Sequence, residues 1–133
     1  MQKPNTKNTD QNSKTEFKTR VYLYTVNSLK FIKTIKKDTV DRIIVDQLIR
    51  SLTSIGANII EAKACNSKKD FARFFDIALK SANETKYWLC LIRDTEDNLD
   101  KEKIKEMLNE TVEISNILAS SLLTMRSKKS DSF

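Results

Sequence analysis

Six polar residues recur at helical spacing in the middle of the chain, and any chemistry would have to be built from them. Ser51, Ser54, Asn58 and Glu61 follow one another at steps of three and four beside Leu48, Ile55 and Ile59. Ser81 and Glu84 fall in line with Phe74, Ile77, Trp88 and Leu91. That spacing puts each set on one stripe of a helix. If the two helices are neighbours, the stripes can satisfy one another's hydrogen bonds, and Glu61 and Glu84 can approach across the interface. Two glutamates alone do not complete a di-metal site, which would need further Glu and Glu-x-x-His ligands. The sequence has no histidine. The commonest general base, the usual metal ligand and every Ser-His or Cys-His nucleophile pair are therefore missing. Cys65 and Cys90 form no metal-spacing motif and are expected to stay reduced. We therefore expect no enzyme, no cofactor and no metal. The polar stripe is expected to fix helix register, the sharper alternative being a small-molecule or ion site in the core, with Arg50, Lys69 and Arg73 as counter-charges.

The elements that must position these residues are helices. One glycine and one proline in 133 residues leave no room for the turns of a β protein or for a glycine-rich phosphate loop. Four segments have a helical period. The first, about 15–37, carries Phe17, Val21, Tyr24, Ser28, Phe31 and Ile35 as a seam. The second, about 39–64, is capped by Asp38 or Thr39 and buries Ile44, Leu48, Leu52, Ile55 and Ile59. The third, about 68–95, opens at Ser67 with Asp70 in a capping-box position. Its seam is Phe71, Phe75, Ala78, Ala82, Leu89 and Ile92. The fourth, about 101–126, runs through Ile104, Leu108, Thr111, Ser115, Leu118, Leu122 and Met125. Links of a few residues favour antiparallel neighbours, so the expected fold is an all-α, up-down-up-down four-helix bundle over 15–126. The polar stretches 1–14 and 127–133 are expected to be disordered tails. Gly56, beside Ala57, is expected to let the second helix approach Ala78, Ser81 and Ala82 of the third.

The same residues resemble a known family, the four-helix-bundle proteins encoded in intervening sequences of bacterial 23S rRNA genes. Its pattern reads S-[IV]-[PG]-x-N-I-x-E-G, then a basic S-K-K-[ED]-F link, then A-x-x-S-x-x-E. Here the matching residues are Ser54-Ile55-Gly56-Ala57-Asn58-Ile59-Ile60-Glu61, Ser67-Lys68-Lys69-Asp70-Phe71 and Ala78-Leu79-Lys80-Ser81-Ala82-Asn83-Glu84. Ala62 stands where the family carries glycine, so Asn66 is expected to end the helix in the left-handed conformation. The resemblance spans roughly 15–126 and implies a ring-shaped homopentamer with no assigned activity. A fold-related group, the accessory proteins of diversity-generating retroelements, binds nucleic acid and a reverse transcriptase. The resemblance thus makes RNA, DNA or such a protein the partners to consider.

The net charge of +6 sits unevenly. Residues 1–40 hold nine Lys and Arg against three Asp and Glu. Lys30, Lys33, Lys36 and Lys37 form one cluster, and Lys68, Lys69 and Arg73 a second that an antiparallel bundle places at the opposite pole. Both are candidate phosphate contacts, the plain alternative being a solubilising surface. No zinc finger, glycine-containing RNA-binding loop or aromatic β-platform motif occurs, so any recognition would be by charge and shape. Tyr22, Leu23, Val26 and Leu29 lie off the first seam, and a helix apolar on two sides has two surfaces to cover. They are the candidate oligomer interface, against the alternative of scattered surface hydrophobes. No apolar run approaches a membrane span and no signal pattern opens the chain, so a cytoplasmic protein without membrane contact is expected.

Overall fold

The computed structural model describes the backbone of residues 9–130 and the side chains of 16–127. Four helices fill it: α1 (Thr9–Ile32), α2 (Thr39–Lys63), α3 (Lys68–Thr95) and α4 (Lys101–Ser130). The tail expected over 1–14 lies outside the described residues for 1–8, while residues 9–14 belong to α1. On the C-terminal side 131–133 lie outside them, and α4 runs on to Ser130.

The first helix stops five residues before its expected end. After Lys33 N–H reaches Leu29 O, Thr34 N–H turns back to Phe31 O at 2.9 Å and Ile35 N–H to Ile32 O at 3.1 Å. The Thr34 hydroxyl also donates to Phe31 O at 2.6 Å. These tighter turns consume carbonyls that a continuing α-helix would need. Lys33, Lys36 and Lys37 therefore stand on the link and not on a helical face.

Capping explains the other starts. Asp38, and not Thr39, caps α2: Asp41 N–H donates to its carboxylate at 2.9 Å, and Asp38 N–H donates to Asp41 Oδ2 at 3.2 Å. Ser67 accepts from Asp70 N–H at 3.1 Å, but the Asp70 carboxylate faces Arg73 at 3.8 Å, so only half of the expected box forms at α3. The left-handed turn expected at Asn66 does not occur, since no described non-glycine residue has positive φ; α2 ends through Ala64 N–H on Ile60 O and Glu61 O and Cys65 N–H on Ala62 O.

Register follows from cross-helix hydrogen bonds and ion pairs. Ser54 meets Ser81 and Ser51 meets Thr85, so α2 and α3 run in opposite directions. Asp76 meets Arg126 and Lys86 meets Ser115 between α3 and α4. Arg20 meets Glu110 and Glu113, and Tyr24 meets Thr111, between α1 and α4. The core is one apolar column of Val21, Leu48, Leu52, Ile55, Leu89, Ile114 and Leu118 with their neighbours, each at most 1% exposed. The expected seams supply it, joined by Val45, Met107 and Ile114. By length and composition α2 is apolar enough to cross a membrane, contrary to the expectation of no such run. In the bundle its apolar residues Leu48, Leu52, Ile55 and Ile59 are core.

Contact is most extensive between α2 and α3 and sparsest between α1 and α4. Gly56 faces α1 and not α3: a Cβ built on it would meet Val21 Cγ1 at 3.5 Å, an ordinary contact. The close α2–α3 approach expected from this glycine is made instead by Ser51, Ser54, Ser81 and Ala78, whose small side chains bring the two helices together.

Candidate functional site

The expected polar stripe divides into a buried part and an exposed part. Ser81 donates to Ser54 Oγ at 2.9 Å, and Asn58 Nδ2 donates to Ser54 O at 2.8 Å and to Ser54 Oγ at 2.9 Å. Thr85, fully buried, shares its one hydroxyl proton between Ser51 Oγ at 2.9 Å and Ser81 O at 2.7 Å, while Ser51 donates to Leu48 O at 3.1 Å. Four hydroxyls and one amide thus form a satisfied seam. Thr85 was not among the expected members, although it falls four residues after Ser81 on the face of Ala78, Ala82 and Leu89.

Glu61 and Glu84 are outside this seam. Both are exposed, and Glu84 accepts from Trp88 Nε1 at 3.3 Å. With Ser54 opposite Ser81, Glu61 lies seven residues beyond one partner and Glu84 three beyond the other, in opposite axial directions. At 1.5 Å rise per residue the two carboxylates are separated by about 15 Å along the bundle. They cannot share a proton or an ion, and no cluster able to hold a metal occurs among the described residues. The expected approach of the pair is thereby corrected.

The basic residues lie where the topology requires. Lys30, Lys33 and Lys36 are exposed and Lys37 half-buried at the α1–α2 pole. Lys68, Lys69 and Arg73 are exposed at the opposite pole, where Arg73 also covers the Phe74 ring at 5.0 Å. Sequence reasoning missed that the start of α4 adds Lys101, Lys103 and Lys105 to the first pole. Lys101 Nζ caps α3 by donating to Glu96 O at 2.9 Å and to Arg93 O.

Carboxylates share that pole. Glu96, hydrogen-bonded to Asp41, partly desolvated and facing the charges of Asp41, Asp38 and Asp97, is pushed up to about 7. Asp41 is lowered, chiefly by the bond from Glu96 and then by the Asp38 backbone. Below about 4.5 Glu96 is protonated in both the folded and unfolded chain, so it contributes nothing to pH dependence there. Between 4.5 and 7 the unfolded chain releases the proton first, so this group erodes stability as pH rises through that window. Asp41 has the opposite sign, its contribution being lost as pH falls. We expect Glu96→Gln to melt higher than the parent at pH 8 and to flatten the decline between pH 5 and 7 in a thermal-denaturation series. Parallel curves for the two proteins would refute the assignment.

Of the four candidate interface residues, Tyr22 and Leu23 are 67% and 52% exposed, whereas Val26 and Leu29 are half-buried and Leu29 packs on this chain's own core.

The fold defines an all-α four-helix protein whose polar groups between α2 and α3 hydrogen-bond to one another. The chain belongs to the 23S rRNA-intervening sequence protein family, which it matches over residues 13–120. It is also similar to a crystal structure of a protein of unknown function from the S23 ribosomal protein family of Bacteroides thetaiotaomicron. The two share 36% identity over 80% of this chain and 97% of that one, with a TM-score of 0.72. No curated protein matches this chain.

Proposed function

We propose that this protein is a non-enzymatic, cytoplasmic homo-oligomer, a pentamer by family resemblance, that binds RNA or DNA electrostatically through basic surfaces repeated by symmetry. The observation that carries the nucleic-acid reading is the set of outward lysines. Lys30, Lys33, Lys36, Lys68 and Lys69 are exposed, with no ion-pair partner among the described residues. Their counterions are free to be exchanged for phosphates, and several weak patches on one assembly multiply into useful affinity. The separation of Glu61 from Glu84 and the absence of histidine support the non-enzymatic half.

A second reading is favoured by the carboxylates Asp38, Asp41, Glu96 and Asp97 on the same pole as Lys30, Lys33 and Lys36, which dilute the positive field. Under it the protein is a scaffold for another polypeptide. The two readings part in a retardation assay with structured RNA and duplex DNA across a salt series. Binding should weaken steeply with salt, and changing Lys30, Lys33 and Lys36 to Gln should lower the log–log slope by about 3 per engaged subunit. Retardation that is absent, or flat across salt, leaves the scaffold reading.

A further inference from the structure

The groove between α1 and α4 has features that neither register nor charge repetition requires. It is an open groove of about 1090 Å³ that runs along α1 from Glu16 to Thr34. Leu23, Tyr24, Phe31 and Met107 supply its apolar wall. It exists because α1 is held to α4 by polar contacts at a distance: Arg20 reaches Glu110 at 2.5 Å and Glu113 beyond it, and Tyr24 reaches Thr111. Thr111 donates its own hydroxyl to Met107 O at 2.6 Å, so the proton between Tyr24 and Thr111 belongs to Tyr24, whose phenol burial pushes up to about 12. Those groups are satisfied. Ser28, on the same wall and 1% exposed, is not: its hydroxyl is the buried side-chain polar atom left without a partner among the described residues. An unpaired buried hydroxyl weakens a fold unless something completes it.

The charges around the groove indicate what that could be. Arg20 is more than balanced by Glu110 and Glu113, so that end of the groove, with Glu16, is acidic. Lys30 and Lys103 have no acid partner among the described residues, and Lys103 Nζ lies 6.0 Å from the centre of the Phe31 ring. The end of the groove next to Phe31 therefore carries two ammonium groups against the one carboxylate of Glu106, with apolar wall continuing behind it toward Tyr24 and Leu23. We propose that this groove binds a soluble, single-chain amphiphilic anion, its acidic head at Lys30 and Lys103 within reach of the Ser28 hydroxyl, and its apolar tail along Phe31, Met107 and Leu23. The proposal shares Lys30 with the nucleic-acid reading, and Ser28 and Lys103, which that reading does not use, keep the two distinguishable.

Dodecanoate below its micellar concentration is the probe, measured by isothermal titration and by thermal shift on the full chain. Saturable binding at one site per chain is expected, with dodecanol and dodecyltrimethylammonium each at least about tenfold weaker. Ser28→Ala should raise the melting temperature of the ligand-free protein yet weaken dodecanoate about tenfold, because it removes an unpaired group and a ligand contact together. Asn27→Trp, on the exposed rim, should fill the groove and abolish binding. Lys103→Glu should abolish the preference for the anion, so the idea remains testable if Asn27→Trp folds poorly. Dodecanoate that fails to bind, or binds the Ser28 and Lys103 variants as it binds the parent, overturns the proposal. So does attachment to phosphatidylglycerol vesicles without binding of the free anion. A light-scattering mass that is oligomeric for the parent and 15.4 kDa for Asn27→Trp overturns it in favour of a protein contact.

Discussion

Ser81→Leu should destabilise this bundle by about 2–4 kcal/mol, combining overpacking with the loss of buried hydrogen bonds. Ser81 is 8% exposed and its hydroxyl is 2.9 Å from that of Ser54, so a leucine there has to push α2 and α3 apart or turn out of its rotamer. Either outcome removes the donor to Ser54 and disturbs Thr85, which bonds the Ser81 carbonyl and Ser51 together. In a domain of this size the melting temperature should fall by roughly 10 °C. Ser81→Ala, which only deletes the donor, should cost about 1 kcal/mol. Glu84→Gln, three residues away on the exposed side, should move stability by less than about 0.5 kcal/mol. Chemical denaturation of the three variants checks the ordering. A leucine variant as stable as the parent would mean that the α2–α3 seam is loosely packed and not the close contact described above.

The second large effect concerns assembly. Tyr22 and Leu23 leave 67% and 52% of their surface uncovered, and Ile60 on α2 leaves 46%. Tyr22 and Ile60 also line a groove of about 480 Å³ between α1 and α2, in which Gly56 and Ala57 leave room for an incoming side chain. Such a surface favours burial against another protein surface. If it is the contact between copies, Tyr22→Glu combined with Ile60→Glu should convert the assembly to a species of 15.4 kDa in multi-angle light scattering. The helical signal should be retained, because neither side chain belongs to the core. A parent that is already 15.4 kDa at micromolar concentration would defeat the oligomer proposal, and an unchanged assembly in the double variant would move the contact elsewhere.

Much of the fold is legible in the sequence because helical periodicity is a local signal. The seams of α1, α3 and α4 are visible in the spacing of Val21, Phe75 or Leu118, and Asp38 and Ser67 mark the starts of α2 and α3 by residue type. What depends on the relation between helices is not legible in this way. Glu61 and Glu84 share the period of the serine seam, but a stripe has edges, and only the pairing of Ser54 with Ser81 shows that the carboxylates lie outside it and far apart. Gly56 suggests a close approach to α3, whereas it faces Val21 of α1 at a distance where a Cβ would make only an ordinary contact. The end of α1 turns on the Thr34 hydroxyl competing for Phe31 O, a contest that apolar spacing does not record. The lysines of α4 join those of α1 only once the third link has folded back.

The sparse junction between α1 and α4 also bears on how the chain assembles itself. The other three helix interfaces join segments adjacent in sequence, so their contacts close short loops at small entropic expense. Arg20 with Glu110 and Tyr24 with Thr111 span 90 and 87 residues, and they are few. A topology with so few distant contacts among its described residues has low contact order, and we expect its folding nucleus to form within α2, α3 and their links, with α1 docking afterwards, which φ-values measured on the two interfaces would check.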